Sequence, residues 1–100
     1  MLLPAALLLG ASCSEPEFEQ ACADECACTA DAEACSDVCD NRYRRTWVLA
    51  DEESESCRIA YEAYFQCLLD KSVCMDAGGF PKWAPPEGAC TALEEAHFKC

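Results

Sequence analysis

Apolar positions recur every three or four residues in four stretches of the chain, a spacing that places them on one face of a helix. The stretches cover residues 15–28, 30–50, 54–74 and 87–100. In each of them, cysteines share the apolar face with aliphatic or aromatic side chains. The pattern therefore predicts four helices whose buried faces carry the cysteines.

Aromatic residues are concentrated on the third predicted helix, which carries Tyr61, Tyr64 and Phe65 at helical spacing. Such a stripe predicts core packing, and a ligand pocket is the alternative. His97 lies on the inner face of the fourth predicted helix, where we expect a packed residue rather than a metal ligand.

The segment from Met75 to Ala89 interrupts the helical pattern, because Gly78, Gly79 and three prolines break it. We expect a long loop there, with Phe80 and Trp83 as a possible contact with a partner. The favoured alternative is that both rings cap the open end of the helices and are buried against the first two.

The first ten residues form an apolar run that fits the hydrophobic region of a signal peptide and is too short to span a membrane. The sequence LLLGASC, which ends at Cys13, resembles the lipobox of bacterial lipoproteins. Gly10 stands where the lipobox usually has Leu, Val or Ile, and no Lys or Arg precedes the run. The resemblance implies cleavage before Cys13 and lipidation of its sulfur with diacylglycerol. Cleavage after Ser12 without lipid, or an apolar leader that is retained, are the alternatives.

The amino-acid composition predicts a protein that is located outside the cytosol. Eleven cysteines in 100 residues exceed the roughly 8–10% that is typical of a disulfide scaffold, and disulfides persist in oxidising compartments. Nineteen acidic residues against seven basic ones give a net charge of -12. Phosphate repels such a surface, so we expect no nucleic-acid partner, and attachment to a membrane would need a lipid anchor rather than a basic patch.

The basic residues include a cluster on the second predicted helix, Arg42, Arg44 and Arg45. An anion or partner site is one interpretation of this cluster. The favoured one is neutralisation of acidic faces on neighbouring helices and of the C-terminal half of its own helix.

The cysteine spacings form two sets. Two pairs, Cys22/Cys26 and Cys35/Cys39, are separated by three residues, and two further pairs, Cys57/Cys67 and Cys90/Cys100, are separated by nine. The first set resembles the twin CX3C pattern of small mitochondrial carrier chaperones. The second resembles the twin CX9C pattern of coiled-coil-helix-coiled-coil-helix proteins, and we interpret both likenesses as convergence.

In both families the outer and the inner cysteines of two antiparallel helices are bridged to each other. The resemblance therefore implies the pairs Cys22–Cys39, Cys26–Cys35, Cys57–Cys100 and Cys67–Cys90. Helical geometry is compatible with this pairing, since residues four apart share a face. We expect a fifth bridge, Cys28–Cys74, because both cysteines lie at the same end of an up-down-up-down arrangement, although ten cysteines allow many connectivities. Cys13 is then left unpaired and available for lipid.

These observations predict an all-α fold of two disulfide-laddered antiparallel helical hairpins, packed as one small up-down-up-down bundle. Residues 1–12 would be the signal peptide, 13–16 the lipid-anchor tether and 17–100 the cysteine-rich helical domain. We expect a non-enzymatic structural or interaction module with no cofactor and no metal, since the chain has no G-x-S-x-G or H-E-x-x-H motif. The alternative is a copper- or zinc-binding or thiol-redox protein that uses the CxC of Cys26 and Cys28.

Overall fold

The computed structural model describes residues 15–29 and 33–100. This part of the chain is mostly helical, with a small two-stranded sheet between the last two helices. The elements in chain order are α1 (Phe18–Thr29), α2 (Glu33–Glu53), α3 (Glu55–Lys71), β1 (Val73–Asp76), β2 (Pro81–Ala84) and α4 (Thr91–Phe98). The predicted signal peptide 1–12 and the lipidation site Cys13 lie outside the described residues.

A single residue, Ser54, separates α2 from α3. Its backbone is extended, and its Oγ accepts a hydrogen bond from the backbone N–H of Cys57 at 3.0 Å. This is an N-cap, which satisfies one of the free N–H groups at the start of a helix. The helix α2 itself continues to Glu53, three residues beyond the expected end at Ala50, and the acidic residues before Ser54 belong to its last turn.

The expected loop after the third helix is a β-hairpin. The helix α3 ends at Lys71, so Cys74 lies in β1 and not in a helix as predicted. The strands are antiparallel, and Gly78 and Gly79 adopt positive φ values of 66° and 98° in the turn. Glycine takes such values without steric cost. Asp76 supports the turn, because its Oδ1 accepts a hydrogen bond from the N–H of Gly79 at 3.0 Å.

The last helix is shorter than predicted. It begins at Thr91 instead of Glu87, because residues 87–88 form a turn in which Gly88 has a φ of 86°. Its eight residues end at Phe98. The short helix and the hairpin together leave space on one side of α3.

The core is built around the aromatic residues of the first three helices. Phe18 and Phe65 are both 1% exposed, and their ring centroids lie 5.1 Å apart with the rings edge to face. Tyr43 and Trp47 of α2 contact the same centre, with centroids 5.1 Å from Phe65 and 5.6 Å from Phe18 respectively. Edge-to-face pairs are favourable because the positive rim of one ring meets the negative face of the other.

Five disulfide bonds reinforce this small core. They join the ten described cysteines in the same five pairs that the sequence analysis gives, with Cα–Cα distances from 5.4 to 5.9 Å: Cys22–Cys39, Cys26–Cys35, Cys28–Cys74, Cys57–Cys100 and Cys67–Cys90. Two bridges join α1 to α2, and two join α3 to the segment around α4. The remaining bridge connects α1 to β1. Five disulfides indicate an oxidising compartment.

Candidate functional site

A cleft of about 850 Å³ lies beside the core, bounded by α1, α2, α3, β2, the segment after β2 and α4. All three tyrosines of the chain and its only histidine line it. The aromatic residues of its wall are Tyr43, Tyr61, Tyr64, Trp83, His97 and Phe98. A concave surface with many aromatic rings and a few polar groups is the usual form of a binding site.

The cleft wall contains an internal ion pair. The guanidinium of Arg42 donates to the carboxylate of Glu25 at 2.9 Å and lies 4.8 Å from the ring centroid of Tyr43. The hydroxyl of Tyr43 donates to the same carboxylate at 3.1 Å. Glu25 thus binds a cation and a tyrosine hydroxyl at once, and the cation lies against the tyrosine ring.

Burial and the neighbouring carboxylate both act on the tyrosine in this group. Burial, reinforced by the negative charge of Glu25 and by the hydrogen bond to it, raises the pKa of Tyr43 to about 12. Loss of the proton would leave a second anion beside Glu25. The hydroxyl therefore stays a hydrogen-bond donor far above neutral pH.

The cleft wall also has a second tyrosine–carboxylate pair. The hydroxyl of Tyr64 in α3 donates to Oε2 of Glu94 in α4 at 3.3 Å. Burial, and then the charge of Glu94 and this hydrogen bond, raise the pKa of Tyr64. Glu94 is half-buried, and none of the ion pairs among the described residues involves it.

His97 adds an aromatic face next to this pair. Its ring stacks on Tyr64, with centroids 5.7 Å apart and an interplanar angle of 18°, and lies 5.1 Å from the ring of Tyr61. Tyr61 is fixed in turn, because its hydroxyl donates to the backbone oxygen of Tyr43 at 3.2 Å. The expected packing of His97 among core residues is thus observed, at the border between the core and the cleft.

The two predicted contact residues have different positions. Trp83 of β2 is half-buried, packs against the core and lines the cleft. Phe80 is 70% exposed in the hairpin turn and is not part of the cleft wall. The expectation that both rings are buried as a cap is therefore wrong for Phe80, because the hairpin turn projects it into solvent.

Sequence reasoning assigned the tyrosines of α3 to the core and gave Glu94 no role. The structure places Tyr61 in the core, where it is 3% exposed, and Tyr64 at its edge. The available signal was the residue type, since tyrosine and histidine carry polar atoms that need partners when they are buried. Glu94, three residues before His97, lies on the same side of α4 and could have been grouped with it.

The arginine cluster pairs mainly with nearby acids. Arg42 pairs with Glu25, and Arg44 pairs with Glu15 at 2.8 Å and with Asp40 at 3.3 Å. These contacts agree with neutralisation of neighbouring acidic side chains.

The CxC motif contributes no free thiol in this structure. Cys26 is bonded to Cys35 and Cys28 to Cys74, so the two cysteines of the motif belong to separate bridges. Within residues 15–29 and 33–100, no group of three or more His, Cys, Asp or Glu side chains is arranged to hold a metal ion. No helix in these ranges has the length and hydropathy of a membrane span.

Comparison with known protein families, with characterised proteins and with solved structures finds no match to this chain.

Proposed function

We propose that the chain is an exported, lipid-anchored interaction module without catalytic activity, which binds a partner through the aromatic cleft and the adjoining hairpin. The cleft carries this proposal. It gathers the three tyrosines, the histidine and Trp83 on one concave surface, and disulfides hold the elements around it.

The state of the cysteines favours binding over thiol chemistry. All ten described cysteines are in disulfides, so none of them offers a thiolate to a metal or a substrate. The cleft wall instead offers aromatic rings, hydroxyl groups, carboxylates and the basic groups of Arg42 and Lys82, of which Arg42 is paired with Glu25. This set recognises ligands by stacking and ion pairing.

Anchoring through Cys13 is supported by the LLLGASC sequence and by the number of cysteines. Ten of eleven pair with each other, which leaves the sulfur of Cys13 for a thioether to diacylglycerol. The short segment 13–16 would then hold the domain close to the membrane surface.

For the helices, an up-down-up-down order is part of the same proposal. Its support is the order of the bridges and ion pairs along neighbouring helices. Cys22 pairs with Cys39 and Cys26 with Cys35, while Arg58 near the start of α3 pairs with Asp51 near the end of α2 at 3.2 Å. Strand β2, which contacts α1, would occupy the place beside α1 that a longer fourth helix would fill.

Intact-mass measurement on the membrane fraction of the producing cell tests the anchor. We expect a chain that begins at Cys13, carries acyl mass and lacks ten hydrogens, one for each bridged sulfur. A mature chain that begins at Ala11, or a Cys13 without lipid, contradicts the anchor. Free thiols or bound metal in the same sample would favour the metal or redox alternative.

Photo-crosslinking in living cells tests the contact surface. A crosslinking phenylalanine analogue replaces Phe80 in one variant and Val38 in the other. Val38 on α2 is a matched control, because it is also apolar and exposed, at 63%. We expect a discrete crosslinked product from position 80 and none from position 38. Equal products from both positions, or none from position 80, contradict the proposed surface.

A further inference from the structure

Glu94 lies in the cleft wall with the rings of Tyr64 and His97, and no basic side chain of the described residues forms an ion pair with it. We propose that these residues form a cation site, which accepts an arginine side chain from a basic peptide segment of the partner. The inference rests on the proposed function, since it names the chemistry that the binding cleft would recognise.

The chain itself supplies the template for such a site. Elsewhere in the cleft wall, Glu25 accepts hydrogen bonds from the guanidinium of Arg42 and from the hydroxyl of Tyr43, and the guanidinium lies over the tyrosine ring. A carboxylate, a tyrosine hydroxyl and an aromatic face together hold one guanidinium there.

Glu94 also has a tyrosine hydroxyl and aromatic rings near it, but no cation. Tyr64 donates to its Oε2, and the imidazole of His97 stacks on the Tyr64 ring. Among the described residues, Oε1 of Glu94 accepts no hydrogen bond and no basic side chain forms an ion pair with Glu94. A hydrogen bond from an incoming charged donor would stabilise a half-buried carboxylate in this state, because its remaining lone pairs are already partly removed from water.

Charge favours a cationic occupant over an anionic one. The chain carries a net charge of -12. Within the cleft wall, Arg42 is already paired with Glu25. The other charged side chains of the wall are two carboxylates, Glu87 and Glu94, and one ammonium group, Lys82. Opposite charge on the partner would steer its approach, and opposite charge at Glu94 would fix its position.

An arginine side chain suits a site made of a carboxylate and aromatic rings better than a lysine side chain does. Its planar guanidinium stacks on aromatic faces and donates hydrogen bonds in the plane at the same time, whereas an ammonium group is compact and strongly hydrated. The ring of His97 neighbours those of both Tyr64 and Phe98, with its centroid 5.7 Å from that of Tyr64 and 5.2 Å from that of Phe98. A stacked guanidinium is therefore the expected form of the ligand group.

The test uses the domain with its disulfides intact and two synthetic peptides. One is an acetylated, amidated hexa-arginine peptide. The other is its hexa-citrulline counterpart, which has the same shape but a neutral urea in place of each guanidinium. Binding is followed by calorimetry and by tryptophan fluorescence. We expect the arginine peptide to bind and the citrulline peptide to bind at least about tenfold more weakly.

Two variants separate a specific site from general attraction. Glu94→Gln and Glu95→Gln each remove one negative charge from the same helix, but Glu95 is exposed and lies outside the cleft wall. We expect Glu94→Gln to weaken the arginine peptide about tenfold and Glu95→Gln about twofold or less. Equal effects, or a wild-type chain that does not bind the arginine peptide, overturn the proposal.

Circular dichroism and thermal melting check that each variant folds. If Glu94→Gln unfolds, Glu94→Asp replaces it, and we expect the shortened carboxylate to bind the peptide more weakly than the Glu95→Asp control. Equal binding by these two variants overturns the site as well.

The outcomes also distinguish this inference from the proposed function. Crosslinking from position 80 in cells with no peptide binding would leave the interaction module intact and reject its arginine ligand. Peptide binding that depends on Glu94, without crosslinking from position 80, would keep the cation site and reject the hairpin as the contact surface.

Discussion

Cys74 and Trp83 are direct partners in the β-hairpin, and each attaches it to the helices in a different way. Cys74 is bonded to Cys28 of α1, and Trp83 packs against the core that α1 shares with α2 and α3. One covalent and one apolar contact thus fix the hairpin that forms a wall of the cleft.

Removal of the Cys28–Cys74 bridge is expected to destabilise the fold more than removal of Cys26–Cys35. The sequence separations are 46 and 9 residues, and in the chain-entropy account the longer loop corresponds to about 4 kcal/mol and the shorter to about 2.5 kcal/mol. Cys26–Cys35 also lies inside the loop closed by Cys22–Cys39, which lowers its separate effect further. Urea unfolding of the two double serine variants measures the difference. A larger loss for the Cys26/Cys35 variant would contradict it.

The hairpin makes a second prediction possible, because its two aromatic residues differ in burial. We expect Trp83→Ala to lower the free energy of unfolding by about 2 kcal/mol, since it empties a half-buried position against the core. We expect Phe80→Ala to change it by about 0.5 kcal/mol or less, because 70% of that residue is exposed. Thermal melting of both variants is the measurement. A large loss for Phe80→Ala would mean that its ring is buried.

Much of the fold followed from the sequence, and the hairpin did not. Helical spacing found four helices, and the resemblance of the cysteine spacings to the twin CX3C and twin CX9C patterns implied the bridge partners of Cys22 and Cys57. The four residues of β1 are too few for an alternating pattern, and the glycines and prolines around β2 are equally typical of a loop. The hairpin is also attached to α1 by the Cys28–Cys74 bridge and to the core by Trp83, and these tertiary contacts leave no local signal in the sequence.

The cleft was hidden for a related reason. A stripe of tyrosines on α3 has the same spacing whether a helix covers all of it or only part. Tyr61 is buried and Tyr64 is only half-buried, because α4 begins only at Thr91 and is eight residues long. The late start depends on the turn at Gly88, which the periodic pattern of residues 87–100 did not register.

The N-cap at Ser54 gives a third prediction. Ser54→Ala removes the acceptor for the Cys57 N–H and is expected to cost about 1 kcal/mol of stability. Ser36→Ala is the control, because Ser36 is exposed within α2, where alanine is the better helix former. Urea unfolding should therefore separate the two variants. Equal midpoints would show that water replaces the cap without loss.

The tyrosines give the last prediction, which concerns alkaline pH. The pKa of Tyr43 is raised to about 12 from about 10 in an unfolded chain, and burial also raises the pKa of Tyr61 and Tyr64. A group whose pKa is higher in the folded state stabilises that state below its unfolded pKa, and the contribution is lost as the pH rises through the folded value. Stability should therefore fall between about pH 10 and about pH 12. The absorbance of tyrosinate should rise in that window and not before it, and helical circular dichroism is recorded in the same titration. The Tyr43→Phe variant should lose less stability across the window than the wild type. Titration of all three tyrosines near pH 10 in the folded chain would contradict the buried hydroxyls and the hydrogen bonds to Glu25 and Glu94.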